Sequence, residues 1–327
     1  MSPGPAGDVT RSFGIPNSET AGRRTSRPPR TPLRRFLRTD DGVNIEAVYD
    51  PKAVVYKGSD DSSDDTGTPS SGHLAVVVAH GFTGDADRPH VRRVVAALTR
   101  YGSVVTFSFR GHGRSGGHST VGDREVLDLA AAVRWARELG HERVATVGFS
   151  MGGSVVLRHA ALPDGSERPD GSDRPDRLGG SDRPDRLGGP DRPDRLGGPD
   201  AVVSVSAPAR WYYRGTAPMR RVHWLITRPE GRLVGRYGFR TRIHHRDWNP
   251  VPLSPVQSVP LIAPTPLLIV HGDSDGYFPT DHPEMLAAAA GENGELWLER
   301  GMGHAENAAS GELLGRIGEW VVHACPR

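Results

Sequence analysis

Residues 142–153 read Glu-Arg-Val-Ala-Thr-Val-Gly-Phe-Ser-Met-Gly-Gly, a β-branched run that stops at a glycine and enters an apolar, helix-like stretch from Ser154 to Leu162. Within it, Gly148-Phe149-Ser150-Met151-Gly152 sets a serine at the centre of Gly-x-Ser-x-Gly. A nucleophile held on a tight strand-to-helix turn needs residues without a β-carbon two before and two after it, because the backbones crowd there. The serine oxygen then stands at the N-terminus of a helix, where backbone N–H groups favour negative charge. Glycine makes up 41 of the 327 residues, so such a pentapeptide arises readily by chance and its context must decide. Strand before and helix after is the context that the motif requires.

Outward from this stretch, strands and helices alternate. His73 to Ala79 is apolar on both faces, as a strand buried within a parallel sheet should be, and runs into His80-Gly81-Phe82-Thr83-Gly84. A helix from about Pro89 to Arg100, a strand from Ser103 to Phe109 and a helix opening at Gly122-Asp123 and closing near Gly140 lead to the Ser150 strand. Beyond lie strands at Ala201 to Ala207, Pro266 to Val270 and Glu295 to Glu299, a helix at Asp281 to Ala290 and an amphipathic terminal helix at Gly311 to Ala324. Upstream, Thr39-Asp40-Asp41-Gly42 separates two alternating runs, Arg34 to Arg38 and Val43 to Tyr49, and predicts an antiparallel hairpin at the start of the fold. The pattern is that of an α/β protein, a mostly parallel central sheet with helices on both faces.

Three segments cannot feed a core. The first 33 residues are rich in Pro, Gly, Ser, Thr and Arg and lack the apolar h-region of a secretory signal, which predicts a disordered tail in a cytoplasmic protein. Residues 58–72 contain no large apolar side chain and predict a solvated, flexible loop. Within residues 163–199, Ser-Asp-Arg-Pro-Asp-Arg-Leu-Gly-Gly at Ser172 to Gly180 recurs unchanged at Ser181 to Gly189, and with Pro for Ser at Pro190 to Gly198. A nine-residue period with one apolar residue per repeat is too sparse for a solenoid and reads as an expanded loop. Calcium binding by its aspartates is discounted because each is accompanied by an arginine. One domain, from residue 34 to 327, then remains.

Forty-one basic residues against 39 acidic ones give a charge of +2, too balanced to imply nucleic acid or a membrane surface as partner. No run reaches the length of a membrane span. The single cysteine, Cys325, cannot form an internal disulfide and reads as an incidental residue of the tail.

A serine is a weak nucleophile until an imidazole accepts its proton, and the imidazole must be oriented by a third group. Those partners are sought in loops at the carboxyl ends of later strands. One strand ends in His271-Gly272-Asp273-Ser274-Asp275-Gly276-Tyr277-Phe278-Pro279 and supplies carboxylates; the next ends in Arg300-Gly301-Met302-Gly303-His304 and supplies the histidine. The chain order Ser150, Asp275, His304 matches nucleophile, acid and base.

With His80-Gly81-Phe82, Phe109-Arg110-Gly111-His112-Gly113-Arg114-Ser115, the serine turn, and His271-Gly272-x-x-Asp275-x-x-Phe278-Pro279 followed by Gly303-His304, the chain resembles the α/β-hydrolase superfamily from about Arg34 to its C-terminus. The resemblance implies an α/β-hydrolase fold and a catalytic triad of Ser150, Asp275 and His304. Its pattern places the acid at Asp275, with Phe278 where relatives usually carry Val; Asp273 is the rival. The alternative acid position of some relatives falls on Ser206-Ala207-Pro208-Ala209, which holds no carboxylate. The oxyanion hole would be the backbone N–H groups of Phe82 and Met151. His80 would pack or hydrogen-bond beneath its loop, and Arg110 and His112 would brace theirs. The resemblance marks residues 209–260 as a small cap.

The implied activity is that of a serine hydrolase cleaving a small-molecule carboxylic ester or thioester through an acyl-enzyme, with neither cofactor nor metal. Acyl transfer or amide cleavage by the same triad, and a non-catalytic ligand-binding member of the superfamily, are the alternatives. Between Arg210 and Arg246 stand ten arginines and a single acid, Glu230, among tryptophan and tyrosine. These arginines either receive an anionic acyl substrate or form a solvated face.

Overall fold

The computed structural model describes residues 31–53, 73–162 and 198–326. The expected tail up to residue 30, the 58–72 loop and nearly all of the 163–199 repeat segment lie outside the described residues.

The hairpin opens the fold, one residue before the expected boundary: β1 (Leu33–Arg38) pairs antiparallel with β2 (Asn44–Asp50), Leu33 opposite Tyr49. Gly42 closes the turn at φ +81°, a backbone conformation open to glycine, and its N–H donates to Thr39 O at 2.8 Å. The chain then lays down β3 (Leu74–Ala79), α1 (Pro89–Leu98), β4 (Ser103–Phe107), α2 (Glu125–Glu138), β5 (Arg143–Phe149), α3 (Met151–Ala161) and β6 (Ala201–Val205). After a helical segment come β7 (Leu267–Gly272), α7 (Asp281–Ala290), β8 (Gly294–Glu299) and a short α8 (Ala305–Ala308), and α9 (Gly311–Ala324) ends the order. The helical segment contains α4 (Ala217–Thr227), α5 (Pro229–Gly238) and α6 (Pro255–Ser258).

The eight strands make one sheet in the order β1-β2-β4-β3-β5-β6-β7-β8, antiparallel across β1/β2 and β2/β4 and parallel elsewhere. This is an α/β-hydrolase fold. Crossing back over a parallel sheet requires helices, and these cover both faces. α2 and α3 pack on one face with Trp135, Phe107 and Leu157, while α1 and α9 pack on the other with Leu98, Leu314 and Ile317. The central β3 is buried at every residue, which explains why its sequence shows no alternation.

Cys325 departs from its sequence reading. It is buried in the α1/α9 layer, its carbonyl accepts from Arg143, and burial pushes its thiol up to about 12. The cause is that α9 carries the chain back under the sheet instead of into solvent. Among the described residues no helix is long and apolar enough to cross a membrane.

Candidate active site

β5 delivers Ser150 to the carboxyl edge of the sheet and α3 starts at the next residue. Ser150 holds φ +52° and ψ −113°, a conformation that costs a non-glycine residue on the order of 1–3 kcal/mol and persists only where the surroundings impose it. Here its N–H is tied to Val205 O of the neighbouring strand at 2.8 Å. A β-carbon at Gly148 would collide with Gly152 O, and one at Gly152 with Ala79 O, so both glycines are steric necessities of the turn.

His304 follows β8. Its Nε2 lies 2.9 Å from Ser150 Oγ and its Nδ1 lies 2.7 Å from Asp275 Oδ2. With Nδ1–H donating to the carboxylate, Nε2 is left to accept from the serine hydroxyl. Asp275, in the loop after β7, is buried, and its Oδ1 accepts the Tyr277 and Phe278 N–H groups at 2.8 and 3.2 Å. Burial would raise its carboxyl, but the hydrogen bond and charge of His304 and the Tyr277 amide outweigh it and hold the group below its ordinary value. Phe278 fits the position where relatives usually carry Val because its backbone N–H serves Asp275 while its ring packs on His282. The Tyr277 ring stacks on His304 at 4.2 Å between centroids. Asp273 instead faces outward, where it accepts from Ser274 Oγ at 2.9 Å and Gly301 N–H at 2.7 Å. The structure thus brings Ser150, His304 and Asp275 together and leaves Asp273 aside.

The turn after β3 is held from beneath. His80 Nδ1–H donates to Gly81 O at 2.7 Å, and Nε2 accepts from Phe109 N–H at 3.0 Å. Burial first, and the neighbouring His112 second, push this imidazole down to about 3, so it is neutral as both bonds require. His112 Nε2 accepts from Thr83 N–H at 3.3 Å, and Gly84 N–H donates to Gly81 O at 3.0 Å. Gly81 N–H donates to Glu306 Oε1 at 3.0 Å. Among the described residues, Phe82 N–H has no acceptor. Arg110 stays behind the loop, buried between Asp41 and Asp128 and bonded to both carboxylates, which raise its guanidinium further despite burial. These placements agree with the bracing roles expected of His80, Arg110 and His112.

Above Ser150 opens a cavity of about 720 Å³. Phe82, Met151 and His304 line its floor, and Trp211, Tyr213, Trp224, Trp248, Arg214, Arg221 and Arg246 line its walls. Two of its residues escaped the sequence reading. Tyr277 carried no signal beyond its place between Asp275 and Pro279; Glu306 was hidden because its contact with Gly81 spans 225 residues of chain.

Ser150 thus stands at the end of the fifth strand, with Asp275 and His304 after the seventh and eighth, in a sheet of this strand order. The sequence model of the alpha/beta hydrolase family matches residues 76–312. The chain belongs to that family. Among solved structures, an esterase of Pyrococcus furiosus is similar, with 20% identity, a TM-score of 0.59 and coverage of 93% of this chain and 100% of that one. The α/β hydrolase GrgF from Penicillium sp. sh18 aligns with 16% identity, a TM-score of 0.59 and coverage of 90% and 99%. An α/β serine hydrolase described as lacking a lid, from Xanthomonas campestris, aligns with 17% identity, a TM-score of 0.51 and coverage of 91% and 97%. At these identities the likeness concerns the fold. No curated protein matches the chain in sequence.

Proposed function

We propose that this hydrolase cleaves a carboxylic ester or thioester of a small molecule through an acyl-enzyme on Ser150. The observation that carries the reading is the relay from Ser150 Oγ through His304 to Asp275, at 2.9 and 2.7 Å, under an open cavity. Ser150 Oγ attacks the substrate carbonyl while His304 Nε2 takes its proton. The tetrahedral oxyanion is received by the N–H groups of Phe82 and Met151, the first free of other acceptors among the described residues and the second at the head of α3. Each such donor is worth roughly 3 to 4 kcal/mol. The imidazolium returns the proton to the leaving alkoxide or thiolate, whose bond to the acyl carbon breaks. Water, deprotonated by the same His304, then attacks the acyl-enzyme and releases the acid and Ser150. Asp275 stabilises the imidazolium in both halves. Residues 209–260 act as the cap, supplying the wall that selects the acyl or leaving group.

The test is a fluorophosphonate probe together with a panel of p-nitrophenyl esters of increasing acyl length and acyl-CoA thioesters. The wild-type protein is expected to be labelled and to turn over at least one class, and Ser150→Ala to do neither. Labelling or turnover that persists in Ser150→Ala refutes the assignment.

A further inference from the structure

Two residues beyond His304, and unused in the reaction above, the Glu306 carboxylate is buried at 3% exposure against the turn that bears Phe82. Burying a carboxylate is costly unless polar partners surround it. Its Oε1 accepts Gly81 N–H at 3.0 Å, and His90 Nε2 lies 3.8 Å from the same oxygen. Gly81 is confined between this carboxylate and the nucleophile: a β-carbon there would stand 3.2 Å from Oε1 and 3.4 Å from Ser150 Cβ. The main chain that presents Glu306 is itself fastened. Arg93 of α1 donates to Glu306 O and to Ala309 O, both at 2.6 Å, and Ala305 N–H donates to Ser206 Oγ at 3.1 Å.

Peptide geometry turns these contacts into an aim. Gly81 C=O and Phe82 N–H belong to one planar trans peptide and point in opposite directions. The carbonyl is drawn to one side by His80 Nδ1–H and Gly84 N–H. The preceding peptide plane, which ends at Gly81 N–H, is fixed by Glu306. Only the φ and ψ of Gly81 join the two planes, and glycine is the residue least able to hold them by itself. With both planes tied, Phe82 N–H has one direction. Resting on the acyl-enzyme reading, we propose that Glu306 is a positioning residue: through Gly81 N–H it aims the Phe82 N–H at the developing oxyanion. The segment that carries the base His304 thereby also clamps the oxyanion donor.

The full-length protein is assayed on a p-nitrophenyl ester as Glu306→Ala, Glu306→Gln and Glu306→Asp, with inhibition by a trifluoromethyl ketone, whose serine adduct carries the oxyanion. A donor displaced by the order of an ångström costs up to about 10²-fold in rate. Glu306→Ala is expected to lose about 10- to 100-fold in kcat with KM within about twofold, and to weaken the ketone by the same factor. Glu306→Gln keeps an oxygen acceptor and is expected within about threefold of wild type in both; Glu306→Asp, which withdraws the acceptor by one methylene, is expected to lose about tenfold. Should Glu306→Ala not fold, the Gln and Asp variants decide, and equal behaviour of those two overturns the proposal. A folded Glu306→Ala with wild-type kcat and ketone affinity also overturns it. An inactive Ser150→Ala beside wild-type Glu306 variants refutes only this clamp, whereas an active Ser150→Ala refutes the acyl-enzyme reading itself.

Discussion

Asp273 and Asp275 stand two positions apart in one loop, yet burial and partners give them different chemistry. Asp275 is enclosed and accepts from His304 and two backbone amides, whereas Asp273 faces outward and secures only its own loop through Ser274 and Gly301. A neutral amide at position 275 would offer the imidazole either tautomer and would not stabilise its cation. Asp275→Asn is therefore expected to lower kcat by about 10⁴-fold while Asp273→Asn stays within a few-fold of wild type, both measured by steady-state ester hydrolysis. A larger loss at Asp273 would reverse the assignment. At this scale the sequence was legible wherever chemistry dictates residue type: serine between glycines, a carboxylate after one strand, a histidine after the next. Glu306 was not, because an acid in the first turn of a helix is ordinary and the amide it meets lies 225 residues away.

At the scale of the element, β3, β5 and β7 were legible for one physical reason. Buried on both faces, they can carry only short apolar runs, and the chain must turn sharply where they end. α4 and α5 were not read as helices, because they bury little: Leu225 in one and Gly231 and Gly235 in the other, with Tyr237 left 76% exposed. Several arginines of this segment are occupied with local work. Arg210 pairs with Asp281 at 2.7 Å, Arg220 donates to Gly215 O at 3.1 Å, and Arg232 donates to Thr227 O at 3.1 Å. Arg214, Arg221 and Arg246 line the cavity, beside Asp247 and the aromatic wall. Guanidinium groups in such company suit a carboxylate or phosphate. An anionic succinyl-type ester is therefore expected to show a higher kcat/KM than its neutral isostere at 0.1 M salt. The advantage should shrink at 1 M, where the screening length falls from about 10 Å to about 3 Å. Equal constants with equal salt response would leave these arginines without a part in recognition.

At the scale of the whole molecule, buried histidines govern the response to acid. Burial, reinforced by His112, pushes His80 down to about 3. Burial likewise pushes His159 down to about 4, and it is the chief cause of the fall of His282 to about 4. In an unfolded chain a histidine takes up its proton near pH 6.5. Between that value and the folded values the unfolded state binds more protons, so stability is complete above about pH 6.5 and is lost as pH falls through the window. Asp128 acts in the opposite sense: burial, partly offset by Arg110, raises its carboxyl to about 7, so the folded state gains a proton before the unfolded state does. His112, His118, His223 and His271 are lowered chiefly by burial as well, and the lowered carboxyls of Asp41, Asp87 and Asp275 act in the same sense, so the net is a loss of stability toward acid. Each alone is worth at most about 1.4 kcal/mol per pH unit within its window. His159 isolates the effect, since neither ring nitrogen has a hydrogen-bond partner among the described residues and its replacement breaks no such bond. Unfolding free energies from urea titrations are expected to be lower at pH 5 than at pH 7 for the wild type. For His159→Leu the decline should be shallower, by up to about 1.4 kcal/mol per pH unit. A wild-type protein equally stable at both pH values, or a variant with an unchanged slope, would mean that these imidazoles accept protons inside the folded protein.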